Sequence, residues 1–497
     1  MLLRTRTLPC HVGLAVLLAA SAARSGAEDR IGKDVSPAAS VPWRAPDLGA
    51  YTRVLRSAES SLIDPQKRYE LPELVDLAER LNPETRVAWE RARQAAIAVG
   101  LVQSEYSPIL SLNALGGYHS EATPAPQDVA PNGFFRVDLE QARPTLMLEW
   151  LLFDFGRRGG TLDAARQRLL AANLGFNRTH QAIVYRVRKA FVGATSLRAK
   201  IAVAQSAVDS ARAVREAAES RLQNGLATLP EVALARQQEA QAAFDLEDVQ
   251  AHERDAQVGL ADSIGLPPTT PIQVGDISAL PAPAAVEESV EKVIDRAFDQ
   301  RPDLIARVAA LRSKEAEVKA ARAAYYPTLA LVGDLGILTG RVQITGGNQP
   351  TGWLSASEPG YGVGVLLRWN VFNGGATRRR VELAEAEQRA AESEVTAARD
   401  RAVSEVWTAY TDVKLAVRRL DTAAALVDAS QKSYEATLGS YRQGLETLTN
   451  LLVARRELSH ALFVELDTRL QLFDASAALA FSTGEAPPRA AGAAIAR

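Results

Sequence analysis

The chain is 497 residues long, 47% apolar and 23% charged, which excludes a disordered polymer and exceeds what one ordinary hydrophobic core organises. Its 57 basic and 59 acidic side chains leave a formal charge of −2, so no global basic field draws it to nucleic acid. The single cysteine, Cys10, excludes a disulfide framework, a thiolate metal cluster and a CxxC redox pair.

At the N-terminus, Arg4 and Arg6 precede the short apolar run Val12 to Ala20, and small residues follow at Ser21-Ala22-Ala23 and Ser25-Gly26-Ala27. This charged, apolar, small-residue order predicts a secretory signal peptide over 1–27. The run has about half the roughly 20 residues needed to span a bilayer, so it is not read as a membrane anchor. Pro9 stands before Cys10 where a lipoprotein signal carries a small residue, so no lipid anchor is expected. Cleavage leaves a mature protein without cysteine. Residues 28–68 read as an N-terminal periplasmic extension. No later stretch reaches 18 uninterrupted apolar residues, so any membrane insertion proceeds without helices.

Self-comparison reveals a constant offset of 219 residues. Pro83 matches Pro302, Tyr106-x-Pro108 matches Tyr325-x-Pro327, Trp150 matches Trp369, Phe153 matches Phe372, and Gly225 matches Gly444. One unit is duplicated, over 69–284 with its linker and over 285–484, with a flexible tail at 485–497. Each copy begins with helical sequence, Tyr69 to Glu105 and Val286 to Ala324, broken once by Pro83 or Pro302. Pro108 and Pro327 end these helices at the junction with a strand, because proline lacks the N–H and clashes with the preceding turn.

The period then changes to two, which means strand. Strands are predicted over about 108–119 and 142–154 in the first copy, and over about 327–339 and 360–372 in the second. Leu110, Leu112 and Ala114 alternate with Ser111 and Asn113. Tyr361, Val363, Val365, Leu367, Trp369 and Val371 lie on one face, opposite Gly362, Gly364, Arg368 and Asn370. Likewise Leu146, Leu148, Trp150 and Leu152 oppose Thr145 and Glu149. Loops rich in Pro, Gly, Asn and Gln, about 120–141 and 340–360, separate the strands and read as exposed. The pattern fits either a half-buried hairpin on a soluble core or a piece of membrane barrel. No other strand is predicted to cover the edges. Four strands cannot close a barrel, since about eight are needed, and an open edge is prohibitively costly in lipid. A membrane barrel therefore requires several chains to share one sheet.

The rest of each copy is long helix, free of proline from Thr161 to Asn224 and from Thr377 to Gln443, roughly 96 and 100 Å at 1.5 Å per residue. In the second copy Val403, Val406, Tyr410, Val413, Val417, Leu420, Ala424, Val427, Tyr434, Leu438 and Tyr441 follow three- and four-residue steps, with Gln431 the one polar occupant, which predicts a coiled-coil seam. Gly225 and Gly444 end these helices. Return helices start near Leu229 and Leu448, the first behind Thr228 and Glu231 at capping-box spacing. The expected helical hairpins are 157–264 and 376–482.

The helix–strand–strand–helix repeat, the Tyr-x-Pro segments, Trp150/Phe153 and Trp369/Phe372, and the Gly-Leu-x-Thr tips resemble the TolC family of outer-membrane export channels over nearly the whole chain after Tyr69. The resemblance implies a mostly α protein with a small β part. Three copies share a 12-stranded outer-membrane β-barrel, continued by a long periplasmic α-helical barrel in a Gram-negative bacterium. Four strands per chain times three meets the closure requirement. It further implies a passive conduit for small-molecule efflux or type I secreted proteins, without catalysis or cofactor. The implied partners are outer-membrane lipid, a periplasmic adaptor (membrane fusion) protein and an inner-membrane pump of RND or ABC type.

On the same ground Gly225, Leu226, Thr228, Gly444, Leu445 and Thr447 are expected to dock the adaptor, and Tyr441 to belong to a latch that holds the aperture closed. Glu446 reverses the charge of the family's basic latch residue. Glu231 matches an acidic position of the constriction, whereas its second-copy counterparts are Asn450 and Val453. Each residue also has a plainer reading: the glycines as helix stops, Tyr441 as seam packing, Glu231 as a cap. Trp150 and Trp369, with Phe153 and Phe372, either anchor the barrel at the membrane interface or fill the junction with the helices.

Catalytic motifs are missing. His119, His180, His252 and His460 share no ligand spacing, and neither a GxxxxGK[ST] loop nor a GxSxG elbow occurs. Gly156-Arg157-Arg158-Gly159-Gly160 reads as a basic strand-to-helix hinge rather than a phosphate loop. The alternative to a channel is a soluble periplasmic coiled-coil scaffold or adaptor.

Overall fold

A computed structural model describes residues 63–485 except 276, 278–280, 284–285 and 348–350. The expected signal peptide, residues 28–62 of the extension and residues 486–497 of the tail lie outside the described residues.

The elements follow one another as β1 (Arg68–Tyr69), α1 (Leu71–Leu81), α2 (Pro83–Ser104), β2 (Ile109–Pro124), β3 (Phe134–Phe153), α3 (Arg157–Gln223), α4 (Leu229–Ile264) and β4 (Gln273–Val274) in the first copy. The second copy supplies α5 (Val290–Gln300), α6 (Pro302–Ala323), β5 (Thr328–Thr345), β6 (Leu354–Arg368), α7 (Ala376–Arg442) and α8 (Leu448–Thr483). Every helix recurs 219 residues on with both ends in register. The long helices α3 and α7 each have 67 residues, and the return helices α4 and α8 each have 36. Proline sits in the first turn of α2 and α6, where its missing N–H has no partner to lose.

Within each copy the long helix pairs with its return helix, α3 with α4 and α7 with α8. Between copies α3 packs against α6 and α8, so α6 is held between α3 and α7. The largest core lies where Leu74 of α1, Ile183, Val187 and Phe191 of α3, and Leu260 and Ile264 of α4 meet Tyr69, Ile272 and Val274. The latter flank or form a two-stranded parallel ladder, Arg68 opposite Gln273 and Tyr69 opposite Val274. This ladder corrects the expectation that the long hairpins hold all the strands. Pieces of two residues carry no periodicity to read.

Three further expectations are corrected. The strands are longer than predicted, 16 and 20 residues for β2 and β3 and 18 and 15 for β5 and β6, and they consume much of both supposed loops. Only 125–133 and 346–353 remain between them. The ladder continues where apolar alternation stops, through polar partners such as Tyr118 with Glu140 and Gly340 with Gln141. At the other end β6 stops at Arg368, short of Trp369 and Phe372.

The seam on α7 is rotated toward alanine. Val406 and Val413 are buried as expected, but Ala402, Ala409, Ala416 and Ala423 occupy the alternate positions, while Ala424 and Gln431 are exposed. Small side chains let neighbouring helices approach closely, which draws the alanine stripe rather than the larger one inward.

Candidate functional site: one sheet face and two helical tips

The four long strands form one antiparallel sheet in the order β2-β3-β5-β6. The register sorts their side chains. Leu112 faces Leu146, Leu110 faces Leu148, Trp150 faces Leu331, Leu335 faces Tyr361, and Leu331 faces Val365. Directly paired residues share a face, so one apolar surface runs unbroken across all four strands. The opposite face carries Asn113 beside Thr145, Met147 beside Asp334, and Asp334 beside Gly362. On the apolar face Tyr361 and Val363 are 86% and 80% exposed, values that an aqueous surface does not favour over a whole sheet.

Aromatic residues mark both ends of this face, with Tyr118, Phe134 and Trp353 toward the loops and Trp150, Tyr325, Tyr326 and Trp369 toward the helices. Among the described residues no helix is long and apolar enough to cross a membrane.

At the helical end the two tryptophans tie the junction between sheet and helices. The indole N–H of Trp150 donates to the Tyr106 carbonyl at 2.8 Å, and that of Trp369 to the Tyr325 carbonyl at 3.1 Å. Trp150 ties β3, and Trp369 the segment just past β6, to the turn before Pro108 or Pro327, with 38% and 54% of their surfaces still exposed. Phe153 meets Phe155 edge-on at 4.8 Å, and Phe155 stacks on Tyr326 at 4.9 Å. Phe372 stands 88% exposed. Arg158 is not a surface hinge charge. Its Nε donates to Asp154 at 3.0 Å, its Nη1 to the Glu105 carbonyl at 3.1 Å, and its plane covers the Tyr106 ring at 4.6 Å.

At the far end, Gly225 (φ +69°) and Gly444 (φ +77°) adopt the left-handed conformation that closes each hairpin. The turns present Leu226 and Leu445 to solvent, 67% and 75% exposed. The Thr228 N–H donates to Glu231 at 2.9 Å, and Thr447 Oγ1 accepts from the Asn450 N–H at 3.3 Å, so both threonines cap the return helices. Glu231 thus has the cap in hand. Glu446 accepts from Asn450 Nδ2 at 2.7 Å, which keeps its reversed charge inside its own turn. Val453 is partly exposed on the same helix.

Tyr441 joins the two hairpins. It packs against the small core formed by Ala218, Val232, Ala235, Leu448 and Leu452, and its hydroxyl accepts from Arg221 Nη1 at 3.0 Å. Arg221 also donates through Nη2 to the Leu226 carbonyl at 3.3 Å, binding the exposed tip of the first hairpin to the second. Sequence reasoning missed Arg221, since its partner lies 220 positions away. Two turns up the hairpin, the Arg236 hydrogen bond and the adjacent Arg215 charge hold the Glu219 carboxyl below the usual carboxylate range, so it stays charged.

The profile of the outer membrane efflux protein family matches residues 74–266 and again 293–485, a repeat at the same 219-residue interval. The chain belongs to the outer membrane efflux protein family. It is 28% identical to protein CyaE of Bordetella pertussis over 84% of this chain and 86% of that one. It is 25% identical to the pyoverdine export outer membrane protein OpmQ of Pseudomonas aeruginosa over 88% and 90%. The solved outer-membrane channel OprN superposes with a TM-score of 0.71 over 90% of this chain and 98% of that chain, at 22% identity. The TolC-like architecture read from the motifs is therefore the architecture of this family. The protein is an outer-membrane channel for efflux or secretion, and the soluble scaffold reading is set aside.

Proposed function

We propose that this family member works as a homotrimer, the passive outer-membrane conduit of a tripartite export system. The observation that carries the reading is the incomplete sheet. Among the described residues its edge strands β2 and β6 lack outer partners, and its apolar face is continuous. In lipid, unpaired backbone groups along two long edges cost several kcal/mol each, so edge β6 of one copy must meet edge β2 of the next. Three copies close 12 strands around the polar face, with lipid on the apolar one.

The long helical hairpins then extend the tube through the periplasm, where an RND or ABC pump in the inner membrane supplies energy and cargo. A periplasmic adaptor docks at Gly225, Leu226, Thr228, Gly444, Leu445 and Thr447, whose exposed leucines offer apolar anchors on rigid capped turns. Tyr441 with Arg221 restrains the aperture. Signal-peptide export over 1–27 delivers the chain. A wide water-filled tube selects little by stereochemistry, and both small molecules and secreted polypeptides fit its chemistry.

The test uses the two faces of β6. Arginine at Val365 or Leu367 is expected to prevent outer-membrane assembly, because a charge on the lipid face at mid-depth costs about 2–4 kcal/mol. Arginine at Gly364, on the polar face with open space around it, is expected to assemble. Equal tolerance of both faces, or recovery of the wild type mainly in the soluble periplasmic fraction, overturns the channel reading.

A further inference from the structure

Among the described residues, the contacts between the two copies inside one chain have no packed counterpart 219 residues away. Helix α6 packs on both α3 and α7, whereas its counterpart α2 packs on α3 alone among the long helices. Likewise α8 packs on α3, while α4 and α7, the same pair one copy on, are not among the packed pairs.

The internal α3–α6 joint is built from small residues. A Cβ added at Gly160 would lie 2.8 Å from the Ala320 nitrogen and 2.9 Å from the Ala316 carbonyl, so those helices touch backbone to backbone. Beside it, Ala164 is 1% exposed and its carbonyl accepts from Ser313 at 3.2 Å. The counterparts are bulky throughout. Gly160 corresponds to Arg379, Ala164 to Leu383, Ala316 to Ile97 and Ala320 to Leu101. Leu383, Ile97 and Leu101 are 61%, 56% and 67% exposed, three large apolar side chains on the two faces that lack a partner among the described residues. Ser313 corresponds to Gln94, which keeps a side-chain donor. A charge pair also carries over. Lys200 of α3 pairs with Asp467 of α8, and their counterparts are Arg419 of α7 and Asp248 of α4, exposed and of the same signs.

Resting on the homotrimer reading above, we propose that α7 of one copy docks between α2 and α4 of a second copy of this chain. Leu383 seats against Ile97, the stem of Arg379 lies beside Leu101, and Arg419 pairs with Asp248 of the neighbouring copy. Backbone contact of the α3–α6 kind is impossible there, because Arg379 carries the Cβ that Gly160 lacks. The joint between copies is consequently wider than the joint within a chain, and the large apolar side chains fill it. Alternate seams of the helical tube thus differ, three tight and glycine–alanine lined, three broad and leucine–isoleucine lined.

Two measurements test this on the full-length protein purified in detergent. Ile97→Cys with Leu383→Cys, treated with a short bis-maleimide that alkylates one thiol at each end, is expected to give a covalent trimer on denaturing gels, and neither single variant does so. Arg419→Asp and Asp248→Arg are each expected to lower the SDS-resistant trimer several-fold, and the double variant R419D/D248R to restore it. A trimer by light scattering without cross-linking and without rescue overturns this seam while leaving the channel reading intact. A monomer by light scattering overturns both.

Discussion

In the first copy the corner between strand and long helix is closed by charge. Asp154 and Arg158, side chains 7% and 6% exposed, form a buried pair that also grips the Glu105 and Leu152 carbonyls. At the same corner of the second copy stand Asn373 and Thr377, joined only by neutral hydrogen bonds, Asn373 Nδ2 to Thr377 Oγ1 at 2.8 Å and the Thr377 N–H to Asn373 Oδ1 at 3.4 Å. Two positions before the helix the copies differ as well. Phe155 holds φ +54° where Gly374 holds +66°, so the first copy keeps a left-handed backbone with a side chain that stacks on Tyr326. The duplicated backbone path is thus kept by unlike chemistry, and the two corners should fail by unlike amounts.

The largest effect is expected at the buried pair. Arg158→Ala strands the Asp154 carboxylate in a dry corner and should cost about 3–5 kcal/mol, against about 1 kcal/mol for Thr377→Ala. Transplanting the second corner into the first, Asp154→Asn with Arg158→Thr, should recover most of the loss. Thermal unfolding of the detergent-solubilised protein followed by helical circular dichroism measures all three, and equal losses at both corners would break the comparison. Next in size is the exchange of Gly160 and Arg379. Gly160→Arg forces α3 off α6 and should cost about 3 kcal/mol in the same assay, whereas Arg379→Gly touches no helix of its own chain and should cost about 1 kcal/mol of helix propensity.

At the tips, Tyr441→Phe removes the hydroxyl that accepts from Arg221, a bond worth about 1 kcal/mol. Single-channel conductance in planar bilayers should rise. Ser440→Ala, at the position that corresponds to Arg221, should leave conductance unchanged. If the two variants behave alike, Arg221 and Tyr441 do not restrain the aperture.

The smallest effect concerns a carboxylate present in both copies. Burial pushes the Asp474 carboxyl above the usual carboxylate range, partly opposed by Lys189, and its Oδ1 has no hydrogen-bond partner. Its counterpart Asp255 is exposed. A folded-state value above the unfolded one means that the native protein binds the proton more tightly. Ionisation of Asp474 therefore removes stability as pH rises through the interval between those values. Asp474→Asn should raise the unfolding temperature slightly at pH 7 and not below the ordinary aspartate range. Asp255→Asn should do nothing at either pH.

Much of the fold was legible because its punctuation is local. Pro83, Pro302, Gly225 and Gly444 bound the helices, and α4 runs over Leu229–Ile264 as predicted. The strand ends were not, because beyond Ala114 and Leu335 the ladder is carried by pairs such as Glu140 with Arg341, which read as loop. The tip leucines and caps were legible as motifs. Arg221 was not, since nothing near it in the chain distinguishes it from the other exposed arginines of α3. The alanine seam was hidden for a related reason: a hydrophobic scale ranks Val417 above Ala416, whereas close packing ranks them the other way.

The matched helix lengths carry a last consequence. Staves of equal length end level, so both turns of a protomer reach the same rim. Removing two turns of helix from α7 and α8 alone, seven residues from each, would shorten that stave by about 10 Å and leave a notched mouth. A deletion in one half is then expected to be tolerated only when the other half repeats it, so length is the property the two copies share even where their side chains differ.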